Sequence, residues 1–351
     1  MADRLPLKLA DLGGGVGALK EFEAGDTIPQ AQVLGAYNLG VGSFAKNALI
    51  NGDFKVWQRG TSVSAPPNSS SYGADRWFVF ATGATHTIVK SVQGTQASLA
   101  VTGAAGSASV AILQRIEGLN TQSLAGKICT LSVDLLAADA RTFSLTAYSN
   151  AGANDFNTET LIATINVTVA PNVAKRGVIT FAAPSNAGNG MTVSISQGGL
   201  PAGVSMSIAN AQLEVGAVAT PLEYRSYSQE LALCQRYYFV AKDNFALCGN
   251  TLGSTCDFPF PVEMRATPTV THGYLDSNFV AVSSPAANQW AAQLAGASVV
   301  SKVSGTIAVG FVVSSRKNAV LYITGAVWNQ APNWLLTNYD LALAPRFSAE
   351  L

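Results

Sequence analysis

The sequence predicts an all-β protein: antiparallel sheets packed face to face, then a second β-rich region, with one short helix between them. Three observations carry this reading. Apolar and polar residues alternate with period two from about residue 46 to 226. Turn-forming clusters punctuate the alternation. No run of strand–helix units interrupts it, which argues against a parallel α/β architecture.

The alternation is plain in single segments. In KICTLSVDLL (127–136), Leu131, Val133 and Leu135 face one way and Thr130, Ser132 and Asp134 the other. In RTFSLTAYS (141–149), Phe143, Leu145 and Ala147 alternate with Ser144 and Thr146. MTVSIS and VSMSIA continue the habit through Val193, Ile195, Val204, Met206 and Ile208. One polar face per strand is what two packed antiparallel sheets require. The clusters APPNSSS, NAGAND, PSNAGNG and QGGLPAG separate the strands. Ser226 and Gln229 fit the S-x-x-Q capping box, and Leu231, Cys234 and Tyr238 then recur on one side of a helix. Beyond it, CDFPFPVEM, TPTVTH, NFVAVSS, SKVSGTIAVGFVVSS and AVLYITGAVW read as strands. Residues 1–45 are glycine-rich with no apolar period, and read as an extended arm that orders against another molecule. The expected divisions are 1–45, 46–226, 227–240 (the helix) and 241–351.

Composition narrows the partners. Charged residues are 12%, and 21 Lys+Arg balance 21 Asp+Glu, so no basic excess is present to replace the counterions of a nucleic acid. Little net charge holds copies apart, which suits assembly. No apolar run is long enough to span a bilayer as a helix. MADRLPLKLADLGGG lacks the basic start and apolar stretch of a secretory signal, so synthesis in a cytoplasm is expected. Cys129, Cys234, Cys248 and Cys256 show no C-x-x-C spacing, and His86 and His272 lie far apart. Zinc is therefore not expected, and the cysteines read as buried thiols. Enzymatic motifs are missing: no G-x-S-x-G, no lysine after the glycines of VLGAYNLGVG, and no pairing pattern among Asp155, Glu159, Asp257 and Glu263.

Two aromatic clusters stand out. Trp57 with Arg59, and Trp77 with Arg76, lie in NALINGDFKVWQRG and SYGADRWFVF. Arg115 follows in LQRIEG. Each ring can bury roughly 150–250 Å². The arginines have two uses open to them, stacking on those rings or pairing with Asp75 and Glu117. Further along, Trp328, Trp334 and Tyr339 sit among Asn329, Gln330 and Asn333. Packing between subunits and contact with a glycan both use such rings and amides.

Five stretches between 47 and 238 together resemble bacteriophage tail-fibre and receptor-binding structural proteins: the two just quoted, LQRIEG, LAGKICTLSVDL, and ANAQLEVGAVATPLEYRSYSQELALCQRYY. FPFPVEMRATPTVT (258–271) resembles the strand pair that follows in such proteins. The resemblance implies a jelly-roll sandwich like those of carbohydrate-binding modules and no catalytic chemistry. It also implies a homotrimeric fibre in a virion, docked on other virion proteins through residues 1–45 and directed at a host-surface glycan. A head fibre or capsid decoration protein is the alternative, a glycan-depolymerising tail spike the second. By the same resemblance, Trp57 and Trp77 close one end of the sandwich. Related sandwiches often hold structural calcium where their first and last strands meet; Asp53 and Glu214 are the candidates here, and a hydrogen-bonded turn is the other reading.

Overall fold

The computed structural model describes residues 7–11, 17–21, 46–241, 245–250, 253–271, 274–275, 281–282, 292–294, 300–301, 308–313, 315–324, 333–336 and 346–351. The chain divides into two compact units, 1–45 and 46–351. In the first, expected as an extended arm, β1 (Leu7–Asp11) and β2 (Gly17–Glu21) pair antiparallel, with Leu9 opposite Leu19.

The second unit begins with an all-β jelly-roll sandwich. Its strands are β3 (Ser62–Ala65), β4 (Ser70–Tyr72), β5 (Phe78–Thr82), β6 (His86–Gln93), β7 (Gln96–Thr102) and β8 (Ser109–Ile116). They continue with β9 (Ile128–Ala137), β10 (Arg141–Asn150), β11 (Glu159–Val169), β12 (Lys175–Ala182), β13 (Met191–Gly198) and β14 (Ser205–Val215). A short helix, α1 (Gly118–Thr121), links β8 towards β9. One six-stranded sheet runs β4-β5-β8-β13-β10-β11 and the other β3-β6-β7-β14-β9-β12, all neighbours antiparallel. The alternation sets which residues meet between the sheets. Leu145, Ile195, Ile112 and Val79 lie in register across the first sheet, and Leu131, Leu135, Ile208 and Leu99 come from the second; all are fully buried in one core.

The stretch NALINGDF closes this core. Asn47 Nδ2 donates to Ala211 O (2.9 Å), while its Oδ1 accepts from Leu49 N and Leu213 N (3.0 Å each), tying the chain to the last sandwich strand. Asn51 has a left-handed backbone (φ 56°), which its side chain secures by bonding Val56 N and O and Asp75 O. A Cβ on Gly52 would stand 2.1 Å from Ala211 O, so only glycine lets the two backbones approach this closely. Trp77 is fully buried; its Nε1 donates to Ile50 O and Asn51 O, and its ring lies 5.1 Å from that of Phe54.

Helix α2 (Tyr227–Gln235) follows, with both halves of the capping box made: Gln229 N donates to Ser226 Oγ and Ser226 N to Gln229 Oε1. It packs Cys234 and Leu231 on Ile50 and Val56. Its buried side also carries Glu230, which accepts from Asn51 N. Tyr238, expected on the helix, lies beyond it in β15 (Tyr238–Val240), because the run Tyr237-Tyr238-Phe239-Val240 favours a strand. Ser226→Ala removes the cap and should lower stability by about 1 kcal/mol, read from the thermal midpoint of the full chain.

The remaining strands are β16 (Phe245–Asn250), β17 (Gly253–Pro259), β18 (Thr269–Thr271), β19 (Tyr274–Leu275), β20 (Ala281–Val282) and β21 (Ala292–Leu294). Then come β22 (Val300–Ser301), β23 (Ala308–Val312), β24 (Asn318–Thr324), β25 (Asn333–Leu336) and β26 (Arg346–Ser348). β26 pairs with β15 on one side and β18 on the other, so residues 346–351 return to the base from which this region leaves. Phe347 is fully buried there, its ring 4.9 Å from that of Phe260.

Candidate functional site

The aromatic and arginine cluster proves to be a clamp on that returning segment. Arg59 lies over the rings of Tyr238 (3.4 Å) and Tyr72 (4.7 Å), and donates to Glu350 Oε1 (3.0 Å). Arg76, fully buried on the ring of Tyr237 (3.6 Å), pairs with the other Glu350 oxygen and donates to Arg115 O (2.7 Å). Arg115 donates to Leu351 O (3.0 Å), and Arg265 to Ala349 O (2.8 Å) and Glu350 O (3.2 Å). Burial is the largest influence on the Arg76 pKa and would lower it, but Glu350 together with Tyr237, Tyr72 and Cys234 holds it above its ordinary value. Burial pushes the Tyr72 and Tyr237 phenols up to about 12, so both stay neutral under their cations.

The expected pairings are therefore only partly made. Arg59 does reach Asp75 Oδ1 (3.5 Å). Glu117, however, accepts from Arg236 (3.1 Å) and from Tyr237 Oη (2.9 Å), and the acid of Arg76 is Glu350. The rings under the arginines are tyrosines and phenylalanines: Arg115 faces Phe78 (5.4 Å) and Phe156 (5.5 Å). Trp57, half-buried against the core, donates from Nε1 to Phe54 O (2.8 Å). Burial raises the Asp75 pKa despite Arg59 and Gln58. Its ionised form thus costs stability, and that cost is relieved as pH falls through the raised pKa.

Asp53 and Glu214 do not assemble a calcium site. Glu214 accepts from Gln212 Nε2 (2.8 Å), Thr220 N (2.8 Å) and Thr220 Oγ1 (2.6 Å), and pairs with Lys46 (3.4 Å). Asp53 pairs with Lys55 (2.8 Å), leaving Oδ1 buried without a partner. One spare carboxylate oxygen is far short of the six to eight oxygens calcium takes. Among the described residues no group of three His, Cys, Asp or Glu could hold a metal ion.

Of the distal aromatic group, Trp328, Asn329, Gln330 and Tyr339 lie outside the described residues. Asn333 and Trp334 belong to β25, whose register sets Trp334 between Leu247 of β16 and Leu294 of β21.

A different surface has the make-up of a ligand face. The outward residues of the β4-β5-β8-β13-β10-β11 sheet form rows. One row is Asn166, Ser144, Ser196, Ala111, Phe80 and Ser70; the next is Thr164, Thr146, Ser194, Leu113, Phe78 and Tyr72. Tyr148 and Thr192 follow, beside Arg115. Cross-strand hydrogen bonds order the hydroxyls: Thr142 with Thr168 (2.9 Å), Ser144 to Asn166 (2.8 Å) and Thr146 with Thr164 (3.0 Å). Thr146 and Ser194, at the centre, are 5% exposed, whereas Thr164 and Asn166 on one flank and Phe80 on the other are exposed, so the face is lowest in the middle. Its charged side chains, Arg115 and Glu159, stand at one end. Four neighbouring strands and four residues separate Tyr148 from Phe80 along the diagonal, roughly 20 Å at ordinary strand spacing and rise.

The opposite sheet is covered over β9, β12 and β14. Residues 216–221 strap it: Thr130 Oγ1 donates to Gly216 O (2.7 Å), and Gln212 Nε2 to Thr220 O and Pro221 O (3.3 Å each). Thr130 and Gln212, which it contacts, are fully buried.

No family model matches the sequence, and no curated protein matches it. Among solved structures, the xylan-binding domain of carbohydrate-binding module family 22 is similar, with 16% identity over 50% of this chain and 99% of its own, at TM-score 0.32. The C-terminal family 22 module of Clostridium thermocellum Xyn10B has 19% identity over 46% of this chain and 90% of its own, at 0.30. The enzymatically active domain of bacteriophage CBA120 tailspike protein 4 has 13% identity over 49% of this chain and 22% of its own, at 0.31. At these values no residue role passes from those proteins to this chain.

Tyr148, Thr146 and Ser194 of this face were not singled out by the sequence. The signal was present as the polar half of RTFSLTAYS and MTVSIS. What it lacked was the knowledge of which sheet is strapped.

Proposed function

We propose that this chain is a non-catalytic bacteriophage virion protein, a tail-fibre component that displays a face for a neutral host-surface glycan. The observation that carries the glycan reading is the outward row of Thr146, Ser194, Ser144 and Asn166 between Tyr148 and Phe80. Ring faces cover the apolar side of a sugar, and hydroxyls and amides bond its polar edge. A span of roughly 20 Å fits an oligosaccharide rather than a single sugar. The resemblance of residues 47–238 supports the virion setting, with residues 1–45 docking on other virion proteins and the copies bundled in threes. Several copies would add weak single-site affinities, provided the sites engage together.

The test is a glycan array probed with the full chain and two variants. Tyr148→Ala should abolish binding to neutral oligosaccharides with the thermal midpoint unchanged, and binding should vary little with salt because the contacts are uncharged. Trp334→Ala should leave binding intact. Loss of binding in Trp334→Ala alone would move the site to the distal region.

A further inference from the structure

The four sheet edges of the sandwich differ in how they are protected. A bare edge strand offers unpaired backbone groups to another chain, and proteins blunt such edges with short strands or charges. β4 and β3 are three and four residues long. β12 opens with Lys175 and Arg176. β11 has neither protection: it runs eleven residues, pairs only with β10 among the described strands, and carries no charge after Glu159. Its apolar side chains are open to solvent, Leu161 at 56% and Ile165 at 41%. Ile165 is on the core side, opposite the buried Leu145, so a core-side residue is itself exposed at this edge.

We propose that β11 pairs antiparallel with β11 of a second copy of this chain across a two-fold axis at Asn166. A bulge at Ile162 leaves 163–169 as the regular run. Centred on Asn166, that run is self-complementary: Thr164 faces Thr168, Ile165 faces Val167 and Ala163 faces Val169. Thr168 O already points outward, because it accepts from Lys175 Nζ (2.9 Å). By strand alternation Asn166 and Thr164 then present their backbone groups to the same edge. Lys175 is exposed and can leave the Thr168 carbonyl to the partner strand.

The pairing joins the two outer sheets into one, and the hydroxyl rows run on across the seam through Thr164, Asn166 and Thr168. It stands whether or not that face binds sugar. Being two-fold, it joins a copy in one three-copy bundle to a copy in its neighbour.

A cysteine test separates this edge from the others. Opposed residues of an antiparallel pair are about 5.5 Å apart at Cα, within disulfide reach. In the full chain under a mild oxidant, Asn166→Cys should cross-link between copies at least ten-fold faster than Ser70→Cys on the exposed β4 edge, with the unmutated chain as the baseline for its own thiols. Light scattering at micromolar concentration should show association that Asn166→Pro removes, since proline takes away an edge-facing N–H that β10 does not use. Equal cross-linking at the two positions, or a mass that Asn166→Pro leaves unchanged in a folded chain, overturns the proposal.

Discussion

Replacing Trp77 by alanine should cost about 3–5 kcal/mol, a large part of the roughly 5–15 kcal/mol that holds a domain folded. The ring is fully buried, packs on Phe54 and donates to two carbonyls, Ile50 O, which also accepts from Gln114 Nε2, and Asn51 O, which also accepts from Phe54 N. Truncation leaves a cavity and strips a donor from both carbonyls at once. Trp57→Ala should cost clearly less, because its ring is only half-buried against the same core. Thermal or denaturant melts of the two variants check the order. A Trp57 variant as unstable as the Trp77 variant would contradict the burial argument.

Arg76→Met should be comparably damaging, by about 3–5 kcal/mol, for an electrostatic reason. It leaves Glu350, itself 9% exposed, in a closed site with Arg59 as its remaining ion-pair partner. The methionine fills similar space, so the loss reads out charge rather than volume. Removing both charges together, Arg76→Met with Glu350→Leu, should restore much of the stability, because neither ion is then stranded. The double-mutant cycle from melting curves tests this. Simple addition of the two single effects would mean that Glu350 does not depend on Arg76. Limited proteolysis should show the same order, with 346–351 released first in Arg76→Met, since β26 closes the base sheet.

How much of this was legible follows from where each signal lies along the chain. The strands and their inward residues were readable, because period two is a local property: Leu131, Val133, Phe143, Leu145, Val193 and Ile195 all reach the core. The capping box was local too, and it forms. The arginines were visible as a concentration, but their use was not. Glu350 lies 274 residues from Arg76, and nothing around it in RFSAEL marks it as a partner. The helix was read too long because Tyr238 kept the helical spacing while the aromatic run had already turned to strand. Asp53 and Glu214 had the right chemistry for a cation, yet donors surround Glu214 that no spacing rule reveals, above all Thr220. The candidate face was half legible. Alternation shows that Ser144, Thr146 and Ser194 share a side, but only the structure shows that 216–221 cover β9, β12 and β14 of the other sheet.

Glycan recognition is proposed for the outward face of the β4-β5-β8-β13-β10-β11 sheet. Amide hydrogen exchange on the full chain, with and without the best-binding neutral oligosaccharide from the array, tests it most directly. Added protection at β10 and β13, centred on Thr146, Tyr148 and Ser194, is the result expected here. Protection confined to 328–339, with 141–150 and 191–198 unchanged, would contradict it.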